Sequence, residues 1–420
     1  MAIVIRILSL PVFCSFALQA QAVISCRAGE EIVREDVSLE VAGRAALTIE
    51  GPCRVVIRRA TIMGNRTTNP QPQALPPYDR RFADHYRANG LLLIGNAEAV
   101  VEDSTFSGIA AFPILASGVG KVRILRCRFR DSGSRDAKSR NNATGGVLLE
   151  DGTTNFVIAD STFFNILGNA AWTHSRYNHV RNGPGVIRRN EFDTIGRDAI
   201  QVGHASAVDV ADNVIARVGY PVDAVDVEGG GTPVGIDTAG NVDSSNYVRN
   251  RMTEINGKCI DLDGFHHGAV AGNSCVNAGK AADYPFGHFG VVMNNTNPDM
   301  QSVGIRIEDN RFEGMRFGGI FVIGSGHVIR KNVMTRLHTA HCSDAAAQPG
   351  CTHFAGEPDL LRTGIYLGRR AERPALTRGN RIEGNAIRGW RMDRKCIGFA
   401  PGVDPKDNHT SGNLCRHEPD

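Results

Sequence analysis

The stretch Val186-Ile187-Arg188-Arg189-Asn190-Glu191-Phe192 decides how the rest of the chain is read, because it keeps returning. Early copies are Val100-Val-Glu-Asp-Ser-Thr-Phe106, Arg123-Ile-Leu-Arg-Cys-Arg-Phe129 and Val157-Ile-Ala-Asp-Ser-Thr-Phe163. Later copies include Arg306-Ile-Glu-Asp-Asn-Arg-Phe312, Val328-Ile-Arg-Lys-Asn-Val-Met334 and Arg381-Ile-Glu-Gly-Asn-Ala-Ile387, and Val56-Ile-Arg-Arg-Ala-Thr-Ile62 is a degenerate first one. The fifth position reads Ala60, Ser104, Cys127, Ser161, Asn190, Asn213, Asn250, Asn273, Asn310, Asn332 and Asn385. Where no loop intervenes the interval is 22 or 23 residues, as from Asn190 to Asn213 and from Asn310 to Asn332.

Between copies stands a second short motif, a small residue followed by aliphatic–x–aliphatic. It appears as Gly90-Leu-Leu-Leu93, Gly146-Val-Leu-Leu149, Ala199-Ile-Gln-Val202, Gly235-Ile-Asp-Thr238, Cys259-Ile-Asp-Leu262, Gly290-Val-Val-Met293, Gly319-Ile-Phe-Val322 and Gly364-Ile-Tyr-Leu367. Both motifs alternate apolar and polar residues, which is strand periodicity, and Gly, Asn and Asp punctuate them as turns require. A unit of two or three short strands cannot bury its own apolar face, so it must stack on its neighbours about 4.8 Å apart. Stacking would set the asparagines above one another as an internal amide ladder. The expectation is all-β: a single-stranded right-handed parallel β-helix of about eleven coils, with inserted loops and end caps. On these repeats the chain resembles the pectin-lyase-like superfamily over about residues 50 to 390. That superfamily's coil is shared by lyases, hydrolases, epimerases and adhesins, so the resemblance implies the fold and leaves the activity open.

Composition agrees. The chain has 420 residues, a net charge of +3 and 22% charged residues, and 47 glycines suit a fold that turns often. The balanced charge offers no basic stripe for nucleic acid. No phosphate loop, GxSxG or HExxH occurs.

Residues 1–22 read as a signal peptide. Arg6 supplies the positive region, Ile7 to Leu18 the apolar run, and Ala20-Gln21-Ala22 the cleavage site. The run is too short to span a bilayer, so a secreted or periplasmic chain without a membrane span is expected. Residues 23–391 would form the β-helix, with 23–50 as cap and first coil, and 392–420 would close it. Export favours disulfides, and sequence neighbours pair as Cys26–Cys53, Cys259–Cys275, Cys342–Cys351 and Cys396–Cys415, leaving Cys127 over.

The second motif also suggests a site. The residue after its first aliphatic points outward, giving the stacked column Leu92, Leu148, Trp172, Gln201, Asp237, Asp261, Val292, Phe321, Tyr366. The next outward column includes His174 and Asp263, and His266 and His267 follow at a turn. Asp237, Asp261 and Asp263, with His266 and His267, are the candidate catalytic residues. Paired carboxylates serve as acid and base in glycoside hydrolysis, and the same three could hold Ca²⁺. Elimination would need a base, for which Lys258, His266, His267 and Tyr284 are candidates. Trp172, His174 and Gln201 on the sheet, with His85, Tyr86 and Tyr284 on loops, are candidate substrate contacts. Compared with polygalacturonases, the chain has Gly235-Ile-Asp237 and Asp261-Leu-Asp263 but no Gly-His-Gly or Arg-Ile-Lys, so no family's residue roles carry over. The function expected is a monomeric carbohydrate-active enzyme (lyase, hydrolase or epimerase) on an acidic polysaccharide. The alternative is a non-catalytic carbohydrate-binding or cell-surface solenoid.

Overall fold

In every copy of the repeat the fourth residue takes a left-handed backbone, from φ +49° at Arg59 to +65° at Gly272. One such residue turns the chain sharply and aims the next side chain inward. Most of these positions are Asp, Arg or Lys rather than Gly, an uncommon conformation for them that the stack enforces at each rung. The computed structural model describes residues 22–42, 44–65, 89–134, 144–175, 180–225, 232–294, 300–342, 351, 359–371 and 374–419. The expected signal segment before Ala22 and the candidate contacts His85 and Tyr86 lie outside them.

The strands form three parallel sheets of a right-handed β-helix. The first runs from Ala22–Ser25 to Ile397–Phe399, the second from Glu31–Glu35 to His409–Ser411, and the third from Ser38–Glu40 to Leu414–His417. Each sheet has thirteen rungs, rather than the eleven that the repeat suggests. The added coils are the ends. Val37 stands at the fifth position of the first, and an exposed Thr410 takes the place of the usual aliphatic of the last. Residues 392–420 are therefore more than a closing segment. Their strands make a complete thirteenth coil. Among the described residues helix is confined to short 3₁₀ turns such as Val222–Ala224 and Ala281–Asp283.

The amide ladder forms as its spacing implies. Asn190 Nδ2 donates to Asn213 Oδ1 at 3.1 Å, and the same bond repeats from Asn213 to Asn250, Asn273, Asn310, Asn332 and Asn385 at 2.9–3.0 Å. It continues to Asn413 at 2.8 Å, in the coil the repeat search missed. Each amide also donates to a main-chain carbonyl of the preceding coil, as Asn250 does to Val210 at 2.9 Å. Outside, the left-handed positions alternate in charge, and Arg59 meets Asp36, Arg126 meets Asp103, Arg189 meets Asp160 and Arg249 meets Asp212 at 2.7–2.8 Å. These exposed pairs hold little energy each.

Inside, Phe106, Phe129, Phe163 and Phe192 stack face to face at 5.0, 4.6 and 4.7 Å. Four disulfides join Cys26 to Cys53, Cys259 to Cys275, Cys342 to Cys351 and Cys396 to Cys415, and Cys127 is a buried free thiol. Burial pushes that thiol up to about 12.

Candidate active site

The outward column of the first sheet is continuous in register. Thr48, Leu92, Leu115, Leu148, Trp172, Gln201 and Asp237 stand on successive rungs, and Asp261, Val292, Phe321 and Tyr366 follow. The sequence column lacks Leu115, whose strand Ile114–Ser117 carries no small residue ahead of it to mark the motif. A second difference matters more. These side chains are buried, Leu148 at 0%, Trp172 at 3%, Asp237 at 8% and Asp261 at 5% exposure. Leu92, Leu115, Leu148 and Trp172 form an apolar cluster with Phe112 on the outside of the sheet. The apolar part of the column is packed over by Phe112, Ala111 and Ala45, while Asp237 and Asp261 beyond it are largely buried but keep some exposure.

Within that column the polar residues gather on neighbouring rungs. Ile236 and Ile260 are register partners, so Asp237 and Asp261 follow them on adjacent strands. Gln201 Nε2 donates to Asp237 Oδ2 at 2.5 Å and receives a bond from Asn169 Nδ2 at 3.0 Å. Lys258, three residues before Asp261, pairs its ammonium with that carboxylate. Asp198, 1% exposed, accepts from the Val234 N–H at 3.0 Å and faces the Arg197 guanidinium at 3.8 Å. The sequence reading missed Asn169 and Asp198. Their signal is a polar residue just ahead of the strand motif, a position also held by Lys258.

Burial separates the carboxyls chemically. Asp237 is raised well above the usual carboxylate range by burial first and then by the charges of Asp198 and Asp261. Burial also raises Asp198, to about 6, although Arg197 and the Val234 N–H pull the other way. Lys258 stays charged. Burial works against its ammonium, but Asp261, Asp237 and Asp263 more than offset that. A protonated lysine cannot serve as the base of an elimination. Nor do the three aspartates make a Ca²⁺ site: the Lys258 ammonium sits on Asp261, and no metal-binding group of three or more His, Cys, Asp or Glu side chains occurs among the described residues.

The histidines lie elsewhere. His266 is beside Asp243 at the turn out of the first sheet, with His267 packed edge-on at 5.5 Å. Neither is hydrogen-bonded to Asp237 or Asp261. Arg181 reaches Asp243 at 3.3 Å, and the His204 ring lies over Gly240, where φ is +86° and a Cβ would come within 2.8 Å of the imidazole. His174 stacks edge-on against Trp172 at 5.3 Å, and burial with the nearby His204 lowers it to about 3. It is a neutral, covered imidazole rather than an open sugar contact. Tyr284 is likewise withdrawn, 2% exposed, with its hydroxyl bonded to Glu254 and to the Gly279 N–H. A shallow hollow of about 430 Å³ exists, but Arg381, Lys406 and His409 line it at the last coil, four rungs beyond Asp261.

A family model described as a right-handed β-helix region matches residues 45–241. No curated protein sequence matches the chain. Among solved structures, the periplasmic alginate epimerase AlgG is 11% identical with a TM-score of 0.51, over 93% of this chain and 76% of its own. A mannuronic-acid-specific polysaccharide family 6 lyase from human gut microbiota is 15% identical with a TM-score of 0.50, over 94% of this chain and 87% of its own. The GH136 lacto-N-biosidase from Eubacterium ramulus is 13% identical with a TM-score of 0.46, over 74% of this chain. The match spans only 59% of that enzyme's length. This chain has the fold of a right-handed parallel β-helix. At such identities the likeness is one of fold.

Proposed function

We propose that the chain is an exported carbohydrate-active enzyme that hydrolyses a glycosidic bond, with Asp237 as the acid and Asp261 as its carboxylate partner. One observation carries this reading. Two carboxyls on adjacent rungs have different surroundings: burial and its neighbours' charges push Asp237 well above the usual carboxylate range, and Asp261 is salt-bridged to Lys258. A pair divided in this way is what acid–base cleavage of an acetal uses. Elimination is less well supported, because Lys258 keeps its proton and His266, His267 and Tyr284 are engaged at other places. The cations near the pair, Lys258 and Arg197, are taken up by Asp261 and Asp198. That favours a neutral glycan over a polyuronate.

The test is a panel of neutral glycans and polyuronates incubated with the full chain. New reducing ends on a neutral glycan, lost in Asp237→Asn, are the expected result. Unsaturated products absorbing in the ultraviolet would replace hydrolysis by elimination. Binding without turnover on every glycan would make the chain a carbohydrate-binding solenoid instead. Export has its own check, supported by the four disulfides: the mature chain should begin at Val23.

A further inference from the structure

The hydrogen bonds behind Asp237 all run in one direction. The Asp198 N–H donates to Asn169 Oδ1 at 3.3 Å, Asn169 Nδ2 donates to Gln201 Oε1 at 3.0 Å, and Gln201 Nε2 donates to Asp237 Oδ2 at 2.5 Å. A side-chain amide can turn over with almost no change of shape, so its direction must be set by a group that cannot. A main-chain N–H can only donate. It holds Asn169 with its oxygen toward Asp198, which leaves the Asn169 amide hydrogen for Gln201. Gln201 then has only its own N–H to offer Asp237. Asn169 is 1% exposed, so its bond to the Asp198 N–H is shielded from water, while Gln201 is partly buried.

We propose that Asn169 and Gln201 are positioning residues, a two-amide relay that makes Asp237 Oδ2 an acceptor and leaves Oδ1 as the oxygen that carries the transferable proton. The proposal rests on the reading of Asp237 as the acid and adds the atom that acts. In the transfer, the Oδ1–H bond breaks as that hydrogen bonds to the glycosidic oxygen. The bond from this oxygen to the anomeric carbon breaks with its electron pair passing to the oxygen, a water molecule bonds to that carbon as its proton passes to the Asp261 carboxylate, and Asp237 is left as a carboxylate. The Gln201 N–H already faces the charge that appears, so no group has to reorient during the step.

Neutron diffraction from crystals of the full chain exchanged into D₂O tests the relay without any need for turnover. The expected map shows the deuterated Gln201 amide facing Asp237 and a deuteron on Asp237 Oδ1. A Gln201 oxygen facing Asp237, or a deuteron on Oδ2, overturns the proposal. Asn169→Asp keeps the shape but replaces the donor by an acceptor. Gln201 then has to turn over, and Asp237 spends its proton on the Gln201 oxygen. The expected effect is a kcat roughly 10- to 100-fold lower with KM within about threefold of wild type. An unchanged kcat in a folded Asn169→Asp protein also overturns the relay. If the wild type turns over no glycan, the proposed reaction fails while the neutron map still decides the relay. If the variant does not fold, the wild-type map is sufficient.

Discussion

The ammonium of Lys258 is bonded to Oδ2 of Asp261, three residues further along the same strand. This one pairing distinguishes two carboxyls that the sheet register would otherwise make equivalent, because Asp237 is bonded instead to the neutral amide of Gln201. The side chains of Lys258 and Asp261 are 12% and 8% exposed, so the pair is screened little by water.

Asp261→Asn should therefore cost both activity and stability. Loss of a group in acid–base catalysis typically lowers the rate by about 10² to 10⁴. Leaving Lys258 buried without its carboxylate should cost on the order of 3–5 kcal/mol. Urea unfolding of Asp261→Asn and of the double variant Lys258→Met/Asp261→Leu measures this. The double variant should regain most of the stability and none of the turnover. Equal stability of Asp261→Asn and wild type would show that the ion pair contributes nothing.

Two buried groups should shape stability against pH with opposite signs. Asp198 is raised to about 6, so the folded chain holds a proton that the unfolded chain releases near 4. Its stability contribution is fully present below pH 4 and is lost as pH rises through about 6. His327 is lowered to about 4 by burial; its ring accepts from the Ile305 N–H at 3.1 Å and bonds the Ile323 carbonyl at 3.0 Å. Its contribution is present above about 6.5 and is lost as pH falls through 4. Unfolding midpoints between pH 3.5 and 7.5 should lose part of the alkaline-side decline in Asp198→Asn and part of the acid-side decline in His327→Gln. Superimposable curves for variants and wild type would contradict both assignments.

Asn250→Ala should be among the most damaging single changes outside the carboxyl cluster. It removes the acceptor for the Asn213 amide and main-chain N–H, and the donor to Asn273 Oδ1 and the Val210 carbonyl. Two or more stranded buried groups at about 1–3 kcal/mol each give a loss of roughly 2–6 kcal/mol. Hydrogen exchange should show faster opening at the Asn213, Asn250 and Asn273 amides than at the phenylalanine stack. Uniform exchange along the helix would argue that the ladder adds nothing beyond packing.

The Cys259–Cys275 disulfide closes the coil that carries Lys258, Asp261 and Asp263, with 16 residues of sequence separation. A loop of about that length is stabilised by about 3 kcal/mol. Replacing both cysteines by alanine should lower the melting temperature and also reduce turnover. The same change at Cys342 and Cys351 should lower stability while leaving turnover close to wild type. Turnover equally affected by both changes would remove the special place of the Cys259–Cys275 coil.

What the sequence determined by itself is the coil. The repeat is written locally in every rung: a residue able to take a left-handed turn, a small polar side chain after it, and an inward aliphatic or aromatic two places further on. Asn190 to Asn385 could be set in one column from spacing alone, because identical local turns stack identically. The ends were harder to see, since Val37 and Thr410 depart from the residues usual at their positions. The carboxyl cluster was half legible. Asp237 and Asp261 were placed on adjacent rungs by alternation, but only the tertiary structure decided that they are largely buried, that Lys258 is a partner rather than a base, and that Asn169 and Asp198 stand behind them. Alternation states which way a side chain points. The hydrogen-bond partners behind Asp237 lie 32 to 36 positions apart, brought within reach by inserted loops whose lengths no local pattern encodes.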